Sequence, residues 1–448
     1  MKTTELIIIG AGPGGYETAI AAAREGVQTV LIEGAALGGT CLNEGCIPTK
    51  CLCRNAEVIE TVREAATYGV SVENLKFDLG TAMQRKNEVV AQLTEGINGL
   101  LKSPQITIIR GYARFTAPHT VQVDEEEYTA PHIIIATGSE AKCLPVPGND
   151  LAGVVTAREM LQLETLPQRL CIVGGGVVGL EFASIFHSFG TAVTVVEYAK
   201  EVLPAFDKDI AKRLRTALKR KGITFHLGAA VNGITQQDGG YEVTFDAGGK
   251  AGSVVADLVL MSVGRSPRLA ELDLDTAGIA YARRGITVDE NMQTNVEGVY
   301  AVGDVNGLCP LAHAATAQGL YALRHFLGRQ ERPNLQLIPA AVFTVPEVAT
   351  VGLTEEQATE QGIAYVAHKS FYRANGKSLA MGATEGIVKI LVDQQGLLVG
   401  AHIMGAHAAD LIHELALAIH CHVSLAQISS MIHAHPSLSE IIHAAAEA

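Results

Sequence analysis

Cys41 and Cys46, in the run GGTCLNEGCIPTK from Gly38 to Lys50, are the side chains best suited to chemistry in this chain. Two thiols with four residues between them can exchange an electron pair by making and breaking one disulfide. A helix start near Pro48 and the cation of Lys50 would favour the thiolate, the redox-active form. Residues five apart on an ideal helix lie about 8–9 Å apart between Cα atoms, from helical rise and radius. A disulfide needs less than roughly 7 Å. The pair therefore cannot share a regular helix, and the segment is expected to be distorted or still unwound at Cys41. Two buried free cysteines are the ordinary alternative. A zinc site lacks a second Cys-x-x-Cys or Cys–His group at ligand spacing, so no metal is expected.

A working disulfide needs an electron source, and the chain contains a repeat that could hold one. ELIIIGAGPGGYETAIAAAREGVQTVLIE runs from Glu5 to Glu33, and RLCIVGGGVVGLEFASIFHSFGTAVTVVE from Arg169 to Glu197. Each reads as apolar strand, G-x-G-x-x-G, small-residue helix, and a second strand ending in Glu. Gly10, Gly12, Gly15 and Glu33 match Gly174, Gly176, Gly179 and Glu197 position for position. In such a unit one glycine makes the turn, one admits a pyrophosphate and one lets helix pack on strand. The helix N-terminus then faces the phosphates, and the glutamate can accept the ribose hydroxyls. A carboxylate at Glu197 would repel the 2′-phosphate of NADP, which favours NAD. Two copies with the same spacing weigh against the reading of two idle thiols.

The bulk composition is compatible with this and excludes other classes. The 448 residues exceed what one core can organise, and three domains are expected. A net charge of −13 argues against a nucleic-acid partner. No apolar run is long enough for a membrane span, and no signal-peptide pattern opens the chain, so a cytoplasmic location is expected. Eight scattered cysteines are too few for a disulfide scaffold.

Beyond the second repeat, LVLMSVGRSP and GVYAVGD read as buried strands, and LAHAATAQGLYALRHFLG as an amphipathic helix. The polar, Pro-bearing run GRQERPNLQLIP reads as a linker. GIVKILVD and GLLVGAHIMG after it alternate as antiparallel strands, among helices rich in Ala and His. The expected class is α/β, with two Rossmann-like dinucleotide domains and a C-terminal α+β domain. Boundaries are expected at 1–145, 146–266, 267–332 and 333–448, the third segment completing the first domain.

GGTCLNEGCIPTK, the two glycine turns, VGRSP, VGD and HAHPSLSE together resemble the pyridine-nucleotide disulfide oxidoreductases, in that order and over essentially the whole chain. The resemblance implies FAD at Gly10, Gly12, Gly15, Glu33, Thr40, Lys50, the Ala136-Thr137-Gly138 turn, Asp304, and the helix start at His313 and Ala314. It implies NAD at Gly174, Gly176, Gly179, Glu197 and Gly264, with Glu181 near the nicotinamide and paired with Lys50. Cys41 and Cys46 become the redox disulfide. His435 becomes the base, with Glu440 as its orienter. In the family that dyad serves the other subunit, so a homodimer is implied and the C-terminal domain is its dimerisation domain. The implied reaction is oxidation of dihydrolipoamide to lipoamide by NAD, the lipoyl group being carried on a lipoyl-domain protein. A glutathione-reductase-like or other disulfide reductase using NAD(P)H is the alternative.

Read without the resemblance, SLSE from Ser437 to Glu440 is also a capping box. Some residues depart from the family pattern. Arg268 replaces an asparagine, and Gln318 replaces a glutamate near the flavin. Cys51 and Cys53 stand where apolar residues are usual and are expected to be small core residues.

Overall fold

The computed structural model describes residues 1–329 and 333–448. It separates into two compact units, which are described in turn. The first comprises Met1–Cys51, Thr81–Lys142 and Gly264–Leu335. Its centre is a parallel sheet ordered Val299–Ala301, His132–Ile135, Leu6–Ile9, Thr29–Glu33, Ile106–Arg110. Leu6, Ile7, Ile8 and Ile9 are all buried, as a strand covered on both faces requires. Helix Pro13–Arg24 links its two central strands, with Pro at its first position, where a missing N–H costs nothing. A four-stranded sheet of Lys2–Thr3, Glu126–Thr129, Thr120–Val123 and Ala113–Ala117 completes the unit.

The second unit comprises Leu52–Gly80, Cys143–Val263 and Gln336–Ala448. Its parallel sheet runs Val154–Val155, Leu258–Met261, Arg169–Val173, Ala192–Glu197, Thr224–Leu227, the same arrangement about a Gly-loop strand as in the first unit. A three-stranded antiparallel sheet follows over Ala229–Gln237, Gly240–Ala247 and Ala251–Ala256. The C-terminal part is a five-stranded antiparallel sheet with helices Ala408–His420 and Glu440–Ala446.

The units divide after Lys142 and after Val263, where the sequence suggested 145 and 266. Residues 52–80 cluster with the second unit, whereas the pattern alone kept them with the first. Their side chains supply the reason. Phe77 stacks on Phe189 at 4.1 Å, the Tyr68 hydroxyl donates to Met381 O at 2.7 Å, and Glu60 meets Lys221 at 3.4 Å. The boundary expected at 332, within the linker, falls outside the described residues.

One buried ion pair ties the parallel and antiparallel parts of the second unit. Lys389, mid-strand in Ile387–Asp393, is fully buried, and its ammonium donates to both oxygens of Asp207 at 2.7 and 2.8 Å. Asp207 also caps helix Lys208–Lys221, accepting from Asp209 N and Ile210 N. Glu355 supplies a second carboxylate to Lys389 at 2.9 Å. An isolated charge at such depth would be prohibitive, and the shared network is what permits it.

Candidate active site

The two glycine loops have the same construction. Gly10 and Gly174 take φ of +101° and +109°, and a Cβ on either would lie 2.4 Å from Ala136 O or Ser262 O. A Cβ at Gly15 or Gly179 would strike the carbonyl of Gly10 or Gly174. Around Gly176 the space is open, and at Gly12 only Gly39 Cα comes near, at 3.9 Å. Turn and packing glycines are thus crowded by protein, while the middle one is left clear on the side where a pyrophosphate would approach. Each loop also opens a helix, Pro13–Arg24 and Val177–Ser188, with Gly12 and Gly176 as N-caps lacking any side-chain partner. The residues present fit two dinucleotides.

The strand-end glutamates brace these loops. Glu33 Oε2 accepts the Ala11 N–H and Oε1 the Ala35 N–H, both at 2.7 Å. Glu197 repeats this, accepting from Gly175 N with one oxygen and from Ala199 N at 2.6 Å with the other. The spacing suggested acceptors for ribose alone. Each carboxylate in fact has both oxygens engaged by backbone and keeps only its remaining lone pairs for a sugar.

The redox segment closes onto the first loop. Gly38 N donates to Ala11 O at 2.8 Å, and Gly39, at φ +60°, passes so close that a Cβ would lie 2.6 Å from Gly12 Cα. Thr40 and Cys41 follow on the short helix Gly39–Glu44, and Cys46 opens the long helix Cys46–Arg63. The irregularity needed to bring two thiols together lies at Gly45, not at Cys41. The second helix begins at Cys46, two residues before Pro48. Both cysteines are thiols here. A hydrogen bond with Cys46, then burial, then the Cys46 charge push the Cys41 thiol above its ordinary value, and the Lys50 cation opposes them. Cys51 and Cys53, one turn on, are buried as expected, and Cys53 Sγ donates to Phe343 O at 3.3 Å.

Asp304 lies in the turn Gly303–Asn306 after strand Val299–Ala301. Its Oδ2 accepts from Ser139 Oγ at 2.5 Å and lies 3.8 Å from Arg265 Nε. Arg265 donates to Ser139 twice, Nε to Oγ and Nη2 to the carbonyl, each at 2.7 Å. Strand pairing of Arg265–Pro267 with Ser139–Ala141 sets Arg265 opposite Ala141 and Pro267 opposite Ser139, so the guanidinium reaches along the ladder to Ser139. Gly264 accepts the Lys142 N–H at 3.0 Å just before them. Gly138, in the Ala136-Thr137-Gly138 turn, has φ +70°. Arg268 contributes backbone there: its carbonyl accepts from Thr137 Oγ1 at 3.1 Å, and its N–H donates to Gly138 O at 3.1 Å. A departure from asparagine is tolerable where backbone makes the contact. Gln318 is buried, its Oε1 accepting from Gly303 N at 2.8 Å and Asn306 Nδ2 at 2.9 Å. The amide thus does as a neutral group the bracing that a glutamate would do with charge. His313 and Ala314 lie in the first turn of helix Ala312–Phe326, as expected.

In the second unit Glu181 is buried on helix Val177–Ser188, and its Oε1 accepts the Phe343 N–H at 3.0 Å. It is not a solvated helix-face residue. His435 Nδ1 lies 2.9 Å from Glu440 Oε1, and Nε2 makes no hydrogen bond among the described residues. The ring is 81% exposed. Glu440 Oε2 accepts the Ser437 N–H at 2.8 Å, which is half of the capping box. The other half is missing, because the helix starts at Glu440 with Ser439 as its N-cap. The Ser437 hydroxyl instead meets Ser439 Oγ at 3.0 Å. Sequence reasoning missed Ser139 and Arg265 as partners of Asp304. The VGRSP motif was the signal for the arginine, and nothing local marked the serine.

Two dinucleotide loops, a dithiol seated on one of them and a C-terminal antiparallel domain define a class. The chain belongs to the pyridine nucleotide-disulphide oxidoreductase family, which it matches over residues 4–319, with that family's dimerisation domain over 338–446. It is a flavoprotein disulfide oxidoreductase, an enzyme whose cofactors are FAD and NAD. It is similar to the mitochondrial dihydrolipoyl dehydrogenase of Pisum sativum, 40% identical and covering 99% of this chain and 91% of that one. The dihydrolipoyl dehydrogenase of Thermus scotoductus is also 40% identical, covering 100% and 98%. Among solved structures, a copper(II) complex of the HOCl-induced flavoprotein disulfide reductase RclA of Escherichia coli superposes with a TM-score of 0.90. It is 31% identical and covers 100% of this chain and 99% of that one. No helix among the described residues is long and apolar enough to cross a membrane.

Proposed function

We propose that the enzyme oxidises dihydrolipoamide to lipoamide with NAD as the acceptor, working in the cytoplasm as a homodimer on lipoyl groups carried by a lipoyl-domain protein. The observation that carries this reading is the seating of the Cys41 helix on Gly12, through Gly39, which sets the dithiol beside a dinucleotide loop. His435, its Nδ1 held by Glu440, has Nε2 free to take the proton of an incoming thiol. The resulting thiolate attacks Cys41 of the Cys41–Cys46 disulfide. One S–S bond breaks and one forms, leaving a mixed disulfide at Cys41 and a thiolate at Cys46. The second lipoyl thiol then attacks the lipoyl sulfur of that bond, releasing cyclic lipoamide and Cys41 as a thiol. The electron pair now resides on the protein dithiol. Bound FAD supplies the exchange between thiol and hydride chemistry. Lys50, one turn after Cys46, and Glu181 are assigned to the flavin–nicotinamide junction. Gly174, Gly176, Gly179, Glu197 and Gly264 are assigned to NAD.

A second reading, a reductase of another disulfide using NAD(P)H, is favoured by the likeness to RclA. An anaerobic experiment separates them. Dihydrolipoamide added without NAD should give a long-wavelength thiolate–flavin absorbance, discharged by NAD with formation of NADH. No response to dihydrolipoamide, together with reduction by NADPH and reoxidation by glutathione disulfide or another disulfide, would overturn the first reading.

A further inference from the structure

We propose that Asn375 is a positioning residue for the His435–Glu440 dyad, its side-chain amide fixing the Ser437 backbone that in turn holds Glu440. The inference rests on the reading of that dyad as the base for the incoming thiol. His435 is carried by a short segment held at its two ends. Ala434, His435 and Pro436 make no backbone hydrogen bond among the described residues. Before them, the His433 side chain is buried and its Nε2 lies 2.9 Å from Glu414 Oε1. After them, the Ser437 N–H donates to Glu440 Oε2 at 2.8 Å, and the Ser437 carbonyl accepts from Asn375 Nδ2 at 3.0 Å. Ser437 is therefore held by both of its backbone groups. The contacts run without a gap from Asn375 through Ser437 to Glu440, and from Glu440 Oε1 to His435 Nδ1 at 2.9 Å.

The residue type matters. Asn375 is buried and is the N-cap of the short helix Gly376–Ala380, its Oδ1 accepting the Ser378 N–H at 2.9 Å. Nδ2 is then left for the Ser437 carbonyl. Both partners are backbone groups of fixed polarity, so the amide can sit only one way round. Aspartate and serine also cap helices. Aspartate, however, has no N–H to give, and serine is a bond shorter, with one oxygen in place of two separate groups. Asn375 is itself fixed from below. Its N–H donates to the carbonyl of Tyr372 at 2.9 Å, and the fully buried Tyr372 donates its hydroxyl to Ala406 O at 2.9 Å. Two other side chains of the same run grip the same C-terminal stretch further on. Ser370 Oγ donates to Ile441 O at 2.5 Å, and His368 Nδ1 lies 2.7 Å from Ala448 O. Those two anchor helix Glu440–Ala446, and Asn375 alone of the three reaches the turn beside the base. A base acts through its placement, and a shift of about 1 Å can cost on the order of 10²-fold in rate.

The test uses the full-length, FAD-loaded enzyme. Asn375→Asp and Asn375→Ser keep a capping oxygen and lose the donor to Ser437. Both should retain FAD and a melting temperature close to wild type, while kcat for dihydrolipoamide falls by about tenfold. Reduction of ferricyanide by NADH draws electrons from the flavin and needs no thiol base, so its rate should not change. In a His435→Gln background the same substitutions should lower kcat for dihydrolipoamide no further, because the base they would displace is gone. If the aspartate variant folds poorly, the neutral serine variant carries the comparison. Unchanged kcat for dihydrolipoamide in both single variants would overturn the inference and leave the dyad intact. So would an equal fall in ferricyanide reduction, or a full further loss in the His435→Gln background, since either marks general damage to the fold. If His435→Gln alone costs nothing, the dyad reading fails and the inference with it.

Discussion

Glu440 holds His435 with one carboxylate oxygen and the Ser437 backbone with the other, at 2.9 and 2.8 Å. The dyad and the turn that carries it are therefore locked by a single side chain. His435→Gln should lower kcat for dihydrolipoamide by about 10²- to 10⁴-fold, the usual range for losing a general base, with FAD content unchanged. Glu440→Gln can still accept one of the two bonds and should cost less.

The same geometry fixes a pH response. The Ser437 N–H and then the His435 hydrogen bond hold the Glu440 carboxyl below its ordinary value. A depressed carboxylate contributes to the fold above its unfolded value, and the contribution is lost as pH falls through the lowered one. An NMR titration of the Glu440 carboxyl should have its midpoint below the ordinary glutamate range. A midpoint at the ordinary value would mean that the two bonds do not form in solution.

Gly176 and Gly174 should part company under the same substitution. Gly176→Ala has an ordinary φ of −77° and open space around it, so its melting temperature should match wild type. Its Cβ would stand where the pyrophosphate enters, and KM for NAD should rise by about tenfold or more. Gly174→Ala, at φ +109° with a carbonyl 2.4 Å from its Cβ, should lose stability instead. Calorimetry beside NAD kinetics distinguishes the two outcomes.

The local architecture is legible in the amino-acid sequence. Period and punctuation carry it: G-x-G-x-x-G at equal distance from a strand-end glutamate specifies a βαβ unit, and both units form. The helix break between Cys41 and Cys46 follows from reach alone, although its place, at Gly45, does not. What stays hidden is long-range. Lys389 reads as a polar interruption in an apolar strand, and its partner Asp207 lies 182 residues away, so no local pattern couples them. Ser139 is likewise 165 residues from Asp304, and residues 52–80 join the second unit through side-chain contacts that no periodicity records.

Gln318 tests whether an acceptor or a charge is needed beneath the Gly303–Asn306 turn. Gln318→Leu strands two buried donors, the Gly303 N–H and the Asn306 amide, and should destabilise by about 2–4 kcal/mol. Gln318→Glu keeps both acceptors and should stay near wild type. Equal urea midpoints for the leucine and glutamate variants would show that the turn does not depend on this side chain.

His402 should make stability fall in mild acid. Its Nδ1 takes the Thr350 hydroxyl at 2.6 Å and its Nε2–H reaches Leu353 O at 3.0 Å, a complete set of partners for the neutral ring. Burial pushes its pKa from 6.5 down to about 4. Between those values the unfolded chain binds a proton that the folded one refuses, so unfolding gains at each step downward. The stability present above the unfolded value is lost as pH falls toward 4, by about 3 kcal/mol at one pKa unit per 1.4 kcal/mol. Asp207 adds little in that window. Burial opposes its ionisation, but the charge of His402, then Lys389 and the Glu355 N–H, hold its carboxyl below the ordinary value, so its own loss comes further into acid. Urea midpoints measured from pH 7 to pH 4 should therefore drop in wild type and flatten in His402→Phe, which has no proton to bind. Parallel profiles for the two proteins would place the acid sensitivity elsewhere.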